Sequence, residues 1–223
     1  MKITCIDFET ANAVRGSICS VGIAVISNSE IIETHEKLIK PHKSCNYFDP
    51  FNISIHGIKP QDVRNAQEFN EIAPWLSELL QADMVVAHNA AFDMSALRAV
   101  LDIYAMPYPD FHYFCTYKAA AHIWPDLYNH KLDTVSSHIG HRFKHHNAKA
   151  DAEAAGKVLL SMLKSGSHKS PQDLAVHIGM KIGQIFPGGY KPCSVSAASR
   201  KKRETCSKNK DTSVYEKYNR RNI

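Results

Sequence analysis

No stretch of this sequence approaches the ~18 consecutive apolar residues that a membrane-spanning helix needs, so no membrane association is expected. The opening residues Met1-Lys2-Ile3-Thr4-Cys5-Ile6-Asp7 hold neither a long apolar segment nor a small-residue cleavage site, which argues against a signal peptide. The six cysteines (Cys5, Cys19, Cys45, Cys115, Cys193, Cys206) include no Cys-x-x-Cys pair. Their scatter speaks against a zinc ribbon and against a disulfide framework. A reducing, cytoplasmic setting is the matching expectation. Internal repeats are absent. Basic charge is also scarce over most of the chain. Residues 200–223 hold nine basic side chains and three acidic ones, a net of +6 in a chain of net +5, which leaves residues 1–199 at −1. Charge alone therefore does not mark the body as a nucleic-acid binder. The tail, with many charges and few apolar residues, is expected to be disordered. It reads either as a solubilising end or as a salt-dependent contact to a phosphate backbone.

What is present fits an ordinary globular protein. Apolar residues make up 44% of the 223 and charged residues 22%, enough for one domain with a normal core. Residues 2–8, 18–26 and 30–40 read as three strands, joined by short polar links such as Ser27-Asn28-Ser29. Pro41, Pro50, Gly57 and Pro60 punctuate a loop. Residues 62–81 turn helical, with Phe69, Ile72, Leu76, Leu79 and Leu80 at spacings of three and four. Met84-Val85-Val86-Ala87 is a short buried-strand run that feeds a helix from Ala90 to about Tyr104. A strand at 111–115 and helices at 116–123 and 131–139 follow, the last closed by Gly140. Asn147 looks like the N-cap of a helix reaching about Lys164. Beyond residue 165 periodicity is weak, apart from a turn at Pro187-Gly188-Gly189. Strands first, then alternating helix and strand, give an α/β layered fold with a mixed sheet.

Three short segments carry possible chemistry. Asp7 and Glu9 stand two apart on the first strand, so both carboxylates face one way. Paired acids repel unless a cation sits between them, and oxygen ligands suit Mg²⁺ or Mn²⁺. The plain alternative is two exposed acids at a strand end. His88-Asn89-Ala90-Ala91-Phe92-Asp93 lies where a buried strand becomes a helix, the place where α/β sheets collect ligands. There Asp93 complements the helix dipole whether or not it also binds metal, and Asn89 is a candidate cap. His146-Asn147-Ala148-Lys149-Ala150-Asp151 puts an imidazole beside a carboxylate one helical turn on. Histidine titrates near neutral pH and can take a proton from water. His145 adjoins His146, and chemistry alone does not choose between them.

Together these segments resemble the DnaQ-like (DEDDh) exonuclease superfamily, which includes the proofreading epsilon subunit of bacterial DNA polymerase III. Asp7-Phe8-Glu9-Thr10 is similar to its first motif and His88 to Asp93 to its second. His146 and Asp151 fit the third, His-x(4)-Asp, a spacing that selects His146. Ile55-His56-Gly57-Ile58 is similar to a His-Gly-Ile element between the first two. The resemblance covers residues 1–165 and departs at no catalytic position. It implies an RNase H-like mixed sheet flanked by helices, with an exonuclease domain at 1–165, a C-terminal extension at 166–199 and the basic tail at 200–223. It implies two Mg²⁺ or Mn²⁺ ions held by Asp7, Glu9, Asp93 and Asp151, with His146 as general base. Phe8, Thr10, His56, His88, Asn89 and Phe92 become contacts to a terminal nucleotide, although Phe8 and Phe92 also read as core. The activity implied is 3′→5′ removal of nucleoside 5′-monophosphates from single-stranded or frayed DNA ends. A DNA polymerase is the partner suggested by the epsilon likeness. An exoribonuclease and a non-catalytic nucleic-acid- or polymerase-binding module are the rivals.

Overall fold

The computed structural model describes residues 1–195. The basic tail and its expected disorder lie outside the described residues. Strands β1 (Lys2–Thr10), β2 (Ile18–Ser27) and β3 (Glu30–Leu38) form an antiparallel meander. Its second turn places Asn28 and Ser29 at φ 51° and 64°, the left-handed pair that a two-residue hairpin demands. Strands β4 (Met84–Ala87) and β5 (Phe111–Cys115) add in parallel on the other side of β1. Every residue of β4 is buried, as its unbroken apolar run requires for a central parallel strand.

The sheet does not stop there. β6 (Met180–Lys181) and β9 (Ser194–Val195) form a small separate ribbon, while β7 (Gly183–Phe186) and β8 (Gly189–Lys191) extend the main sheet antiparallel to β5. The order is β3-β2-β1-β4-β5-β7-β8, a seven-stranded mixed sheet. The expected turn at Pro187-Gly188 joins β7 to β8, with Gly189 at φ 145°.

Seven described helices complete the fold. They are α1 (Pro50–His56), α2 (Phe69–Leu80), α3 (Ala91–Ile103), α4 (Thr116–Ile123), α5 (Leu132–His138), α6 (Ala148–Ser165) and α7 (Pro171–His177). None is long and apolar enough to cross a membrane. Three depart from the sequence reading, α7 among them, since no helix was read beyond residue 165. Residues 50–56, expected as loop, are helical because Pro50 sits at a first-turn position where no N–H is needed. Asp49 caps that helix by accepting from the Phe51 N–H, and Gly57 closes it at φ 79°. The helix expected from residue 62 starts at Phe69, where Glu68 and Glu71 close a reciprocal capping box. Apolar residues from β1, β2, β4, α2, α3 and α6 share one core. The five described cysteines are buried and unpaired.

Candidate active site

The carboxyl ends of β1, β4 and β5 lie side by side, because these three strands are parallel neighbours. β1 delivers Asp7 and Glu9. Both are half-buried while Phe8 between them is buried in the core, so the alternation of the strand sends the two acids out together. β4 leads through His88 and Asn89 into α3, whose first turn holds Asp93. Asn89 does not cap that helix. It sits at φ 63°, and its carbonyl accepts from the Phe92 N–H at 2.9 Å. α6 brings Asp151, buried to 2% exposure.

A glycine decides how close α6 comes. Gly22 of β2 pairs with Asp7 across the ladder. A Cβ on Gly22 would lie 1.9 Å from the Ala148 carbonyl at the start of α6. The bare backbone lets the helix terminus lie against the strand that carries Asp7. Asn147 fixes the same terminus as expected. Its Oδ1 accepts from the Ala150 N–H at 3.0 Å, and its Nδ2 donates to Glu36 Oε1 of β3 at 2.8 Å.

Carboxylate oxygens of Asp7, Glu9 and Asp151 lie within 4.8 Å of one another. Asp93 stands beside this trio and turns Oδ1 to the Phe8 N–H at 3.1 Å. Burial first, then repulsion from Asp93, Asp151 and Glu9, pushes the Asp7 carboxyl well above its ordinary range. Burial and the Asp151 charge push Glu9 up to about 7. Burial raises Asp93 to about 8, against the pull of backbone N–H groups. Such a cluster keeps protons at neutral pH unless positive charge arrives. An all-oxygen donor set this close fits a hard divalent cation such as Mg²⁺ or Mn²⁺.

The two histidines of the third motif divide. His145 Nδ1 contacts Asp151 Oδ1, and that hydrogen bond holds the imidazole above its ordinary pKa. His146 adopts φ 64° and stacks on His145 with ring centroids 4.0 Å apart. Its ring lines an open cleft of about 600 Å³ shared with Asp7, and burial with the neighbouring His145 lowers its pKa. Both histidines line this cleft with Asp7, and His145 is the one that also contacts Asp151.

The remaining expected contacts fall into two groups. Phe8 is 2% exposed and offers only its backbone. Both ring nitrogens of His88 are engaged, with Nε2 on the His130 carbonyl at 2.9 Å and Nδ1 on Thr116 Oγ1 at 3.0 Å. Burial lowers His88 to about 4, so it stays neutral and ties the end of β4 to the start of α4 and the loop before α5. Thr10, His56 and Phe92 lie toward β2 and α1. His56 Nε2 donates to the Thr10 carbonyl at 3.2 Å, and its Nδ1 accepts from the Ile58 N–H at 3.0 Å. Asn52, one turn earlier on α1, donates to the same carbonyl at 2.8 Å. Phe92 is half-buried outside the core clusters, with the Arg15 guanidinium 4.5 Å above its ring. Sequence reasoning had no handle on Asn52, Arg15, Tyr117 or Lys131. Each is an isolated residue whose place near the site depends on tertiary packing.

Known proteins resemble this chain in sequence and in fold. The profile of a family described as Exonuclease matches residues 4–159. A PolC-type DNA polymerase III of Streptococcus pneumoniae (serotype 2, strain D39) is 25% identical over 197 residues, 86% of this chain. The 3′-5′ exonuclease DinG of Bacillus subtilis (strain 168) is 30% identical over 167 residues, 73% of this chain. The chain spans only 13% and 18% of the lengths of these two relatives. Among solved structures, Exonuclease X in complex with 5′ overhanging duplex DNA superposes with a TM-score of 0.65 at 19% identity, covering 78% of this chain and 98% of that one. The nuclease domain of 3′hExo, a DEDDh family member bound to rAMP, gives 0.64 at 18% identity, covering 75% and 94%. On the family match over most of its length, with the mixed sheet and the converging carboxylates beside it, the chain belongs to the family described as Exonuclease.

Proposed function

We propose that this protein removes nucleoside 5′-monophosphates one at a time from the 3′ end of DNA, with Asp7, Glu9, Asp93 and Asp151 holding two divalent ions. The observation that carries the reading is the trio Asp7, Glu9 and Asp151, whose oxygens converge within 4.8 Å and whose surroundings call for positive charge. When bound, Mg²⁺ or Mn²⁺ neutralises the scissile phosphate and acidifies the attacking water. The protein's own part is orientation and proton transfer. His146, facing the cleft, accepts the proton of that water at an imidazole nitrogen. His145 keeps its contact to Asp151 and steadies the loop. Phe92 and Arg15 flank the terminal nucleotide, and the Thr10 segment, braced by Asn52 and His56, supports its sugar. An aromatic contact tolerates any base, which suits an enzyme that trims ends of any sequence.

DNA is favoured over RNA by the PolC-type DNA polymerase III relative, and the 3′→5′ direction by the relative named a 3′-5′ exonuclease. The neighbour bound to rAMP keeps RNA as the second reading. A polymerase partner and the basic tail's contact with nucleic acid remain part of the proposal.

The test uses matched 5′-labelled single-stranded DNA and RNA with Mg²⁺ or Mn²⁺, with EDTA, and with Asp7→Ala. The expected result is a ladder shortening from the 3′ end of DNA, lost in EDTA and in the variant. A faster ladder on RNA moves the protein to the ribonuclease branch. Metal-dependent activity that survives Asp7→Ala overturns the site assignment.

A further inference from the structure

The cleft shared by Asp7 and the two histidines takes in His88 and Asn89 but runs away from the residues proposed to hold the terminal nucleotide. Thr10, His56 and Phe92 lie where β1 meets β2 and α1, and none of them lines it. Its far wall is built two strands over, after β5 and before α5, by Tyr117 and Lys131. Tyr117 is 39% exposed. Its ring is set on edge by His88 at 5.7 Å and His130 at 6.3 Å between centroids. His130 is itself anchored through Nε2 to the Trp124 carbonyl at 2.9 Å, so the ring stands on a fixed support. Lys131 is exposed at the cap of α5. Its ammonium forms no ion pair among the described residues; its backbone is held by Asn129 Oδ1, which accepts from the N–H at 2.9 Å, and by the Val135 N–H, which donates to the carbonyl at 3.0 Å. Asp133 lines the same wall, with a carboxylate oxygen drawn back to the Thr134 N–H at 2.7 Å.

A rigid, open aromatic face beside a free ammonium is the chemistry that holds an unpaired nucleotide, the base by stacking and the phosphate by charge. The catalytic carboxylates lie between this wall and the terminal-nucleotide side. We infer that the cleft binds the nucleotide on the 5′ side of the scissile phosphate, with its base on Tyr117 and its phosphate on Lys131. This inference rests on the exonuclease reading above. It makes the enzyme demand at least one unpaired nucleotide behind the one it removes, because a base stacked on Tyr117 has left its own strand's stack.

The experiment compares two substrates on the full chain with Mn²⁺. The p-nitrophenyl ester of thymidine 5′-monophosphate fills the terminal site alone, and a labelled oligothymidylate fills both. The readout is the ratio of kcat/KM for oligomer over ester. Tyr117→Ala should lower that ratio about tenfold, within the range of one lost base stack, through KM rather than kcat. Tyr117→Phe, which keeps the ring, should restore it. Lys131→Gln should flatten the logarithmic salt dependence of oligomer KM by about 0.7, the slope per phosphate contact in single strands. If Tyr117→Ala slows ester and oligomer equally, or leaves the ratio unchanged, the subsite is overturned while the exonuclease reading stands. If the wild-type chain cleaves neither substrate, the exonuclease reading itself falls, and the subsite with it.

Discussion

His145 and His146, identical and adjacent in sequence, differ in their partners. Both line the cleft with Asp7, but only His145 contacts Asp151, while His146 holds a positive φ. Spacing to Asp151 singled out His146 in the sequence, and since both histidines line the cleft, the choice rests on kinetics. His146→Ala should reduce kcat by about 10²- to 10⁴-fold, the usual worth of a general base, with Mn²⁺ affinity nearly unchanged by calorimetry. His145→Ala should act in the opposite proportion, weakening Mn²⁺ binding more than the chemical step. A reversal of the two phenotypes would hand the base to His145. The other residue-level readings divide along the same line. Positions marked by local chemistry, such as Asp7, Glu9 and Asp151, could be picked out in the sequence, and the fold brings their oxygens together. Positions whose role depends on neighbours were not. Nothing local in the sequence tells that both His88 nitrogens are used to hold the start of α4 and the loop before α5, or that Phe8 is buried.

At the level of elements, the parts with a strong period were read within a residue or two. β1, β2, β4, α3 and α6 all carry either alternation, an unbroken apolar run or a clear cap. α1 was missed because its proline reads as a breaker, although at the first turn proline starts a helix. β6 to β9 were missed because two to four residues carry no period. β7 is a strand only because Phe111 and Ile185 meet across some seventy positions of chain. The contact of α6 with β2 was equally hidden, since Gly22 looks like any strand glycine until Ala148 is seen against it. Gly22→Ala should destabilise the protein by about 1–3 kcal/mol, as overpacking against backbone does, and should cost activity beyond that loss by moving Asp151 off Asp7. Gly156→Ala is the contrast. There the new Cβ meets flexible side-chain atoms, Cys5 Sγ at 3.2 Å and Ile26 Cδ1 at 3.3 Å, so the effect on stability should be smaller and activity kept. Denaturant midpoints and exonuclease rates of both variants separate the two outcomes. Equal activity in both would remove Gly22 from the account of the site.

For the molecule as a whole, the site is a local weakness that its ligand should repair. Glu9 and Asp93 hold pKa values of about 7 and about 8, raised first by burial, against ordinary values near 4 in an unfolded chain. A carboxyl whose folded pKa is raised binds protons more tightly when folded. Its contribution to stability is therefore full below about pH 4 and is lost as pH rises through about 7 to 8. His145, raised by its hydrogen bond to Asp151, adds in the same direction. His56, His141 and His146, lowered mainly by burial, oppose it, so the raw slope in EDTA is a mixture. The metal isolates the carboxylate part. A cation that binds only the folded site stabilises by mass action, and it binds best where the carboxylates are ionised. The gap between Tm in saturating Mn²⁺ and Tm in EDTA should widen steadily from pH 5 to pH 8. Asp7→Asn should close most of that gap by removing one acid from the cluster, and it should raise Tm in EDTA at pH 8 because one repelling charge has gone. A gap that stays constant with pH would mean that the cation binds away from Asp7, Glu9, Asp93 and Asp151. The chemistry assigned to them would then have to be placed elsewhere.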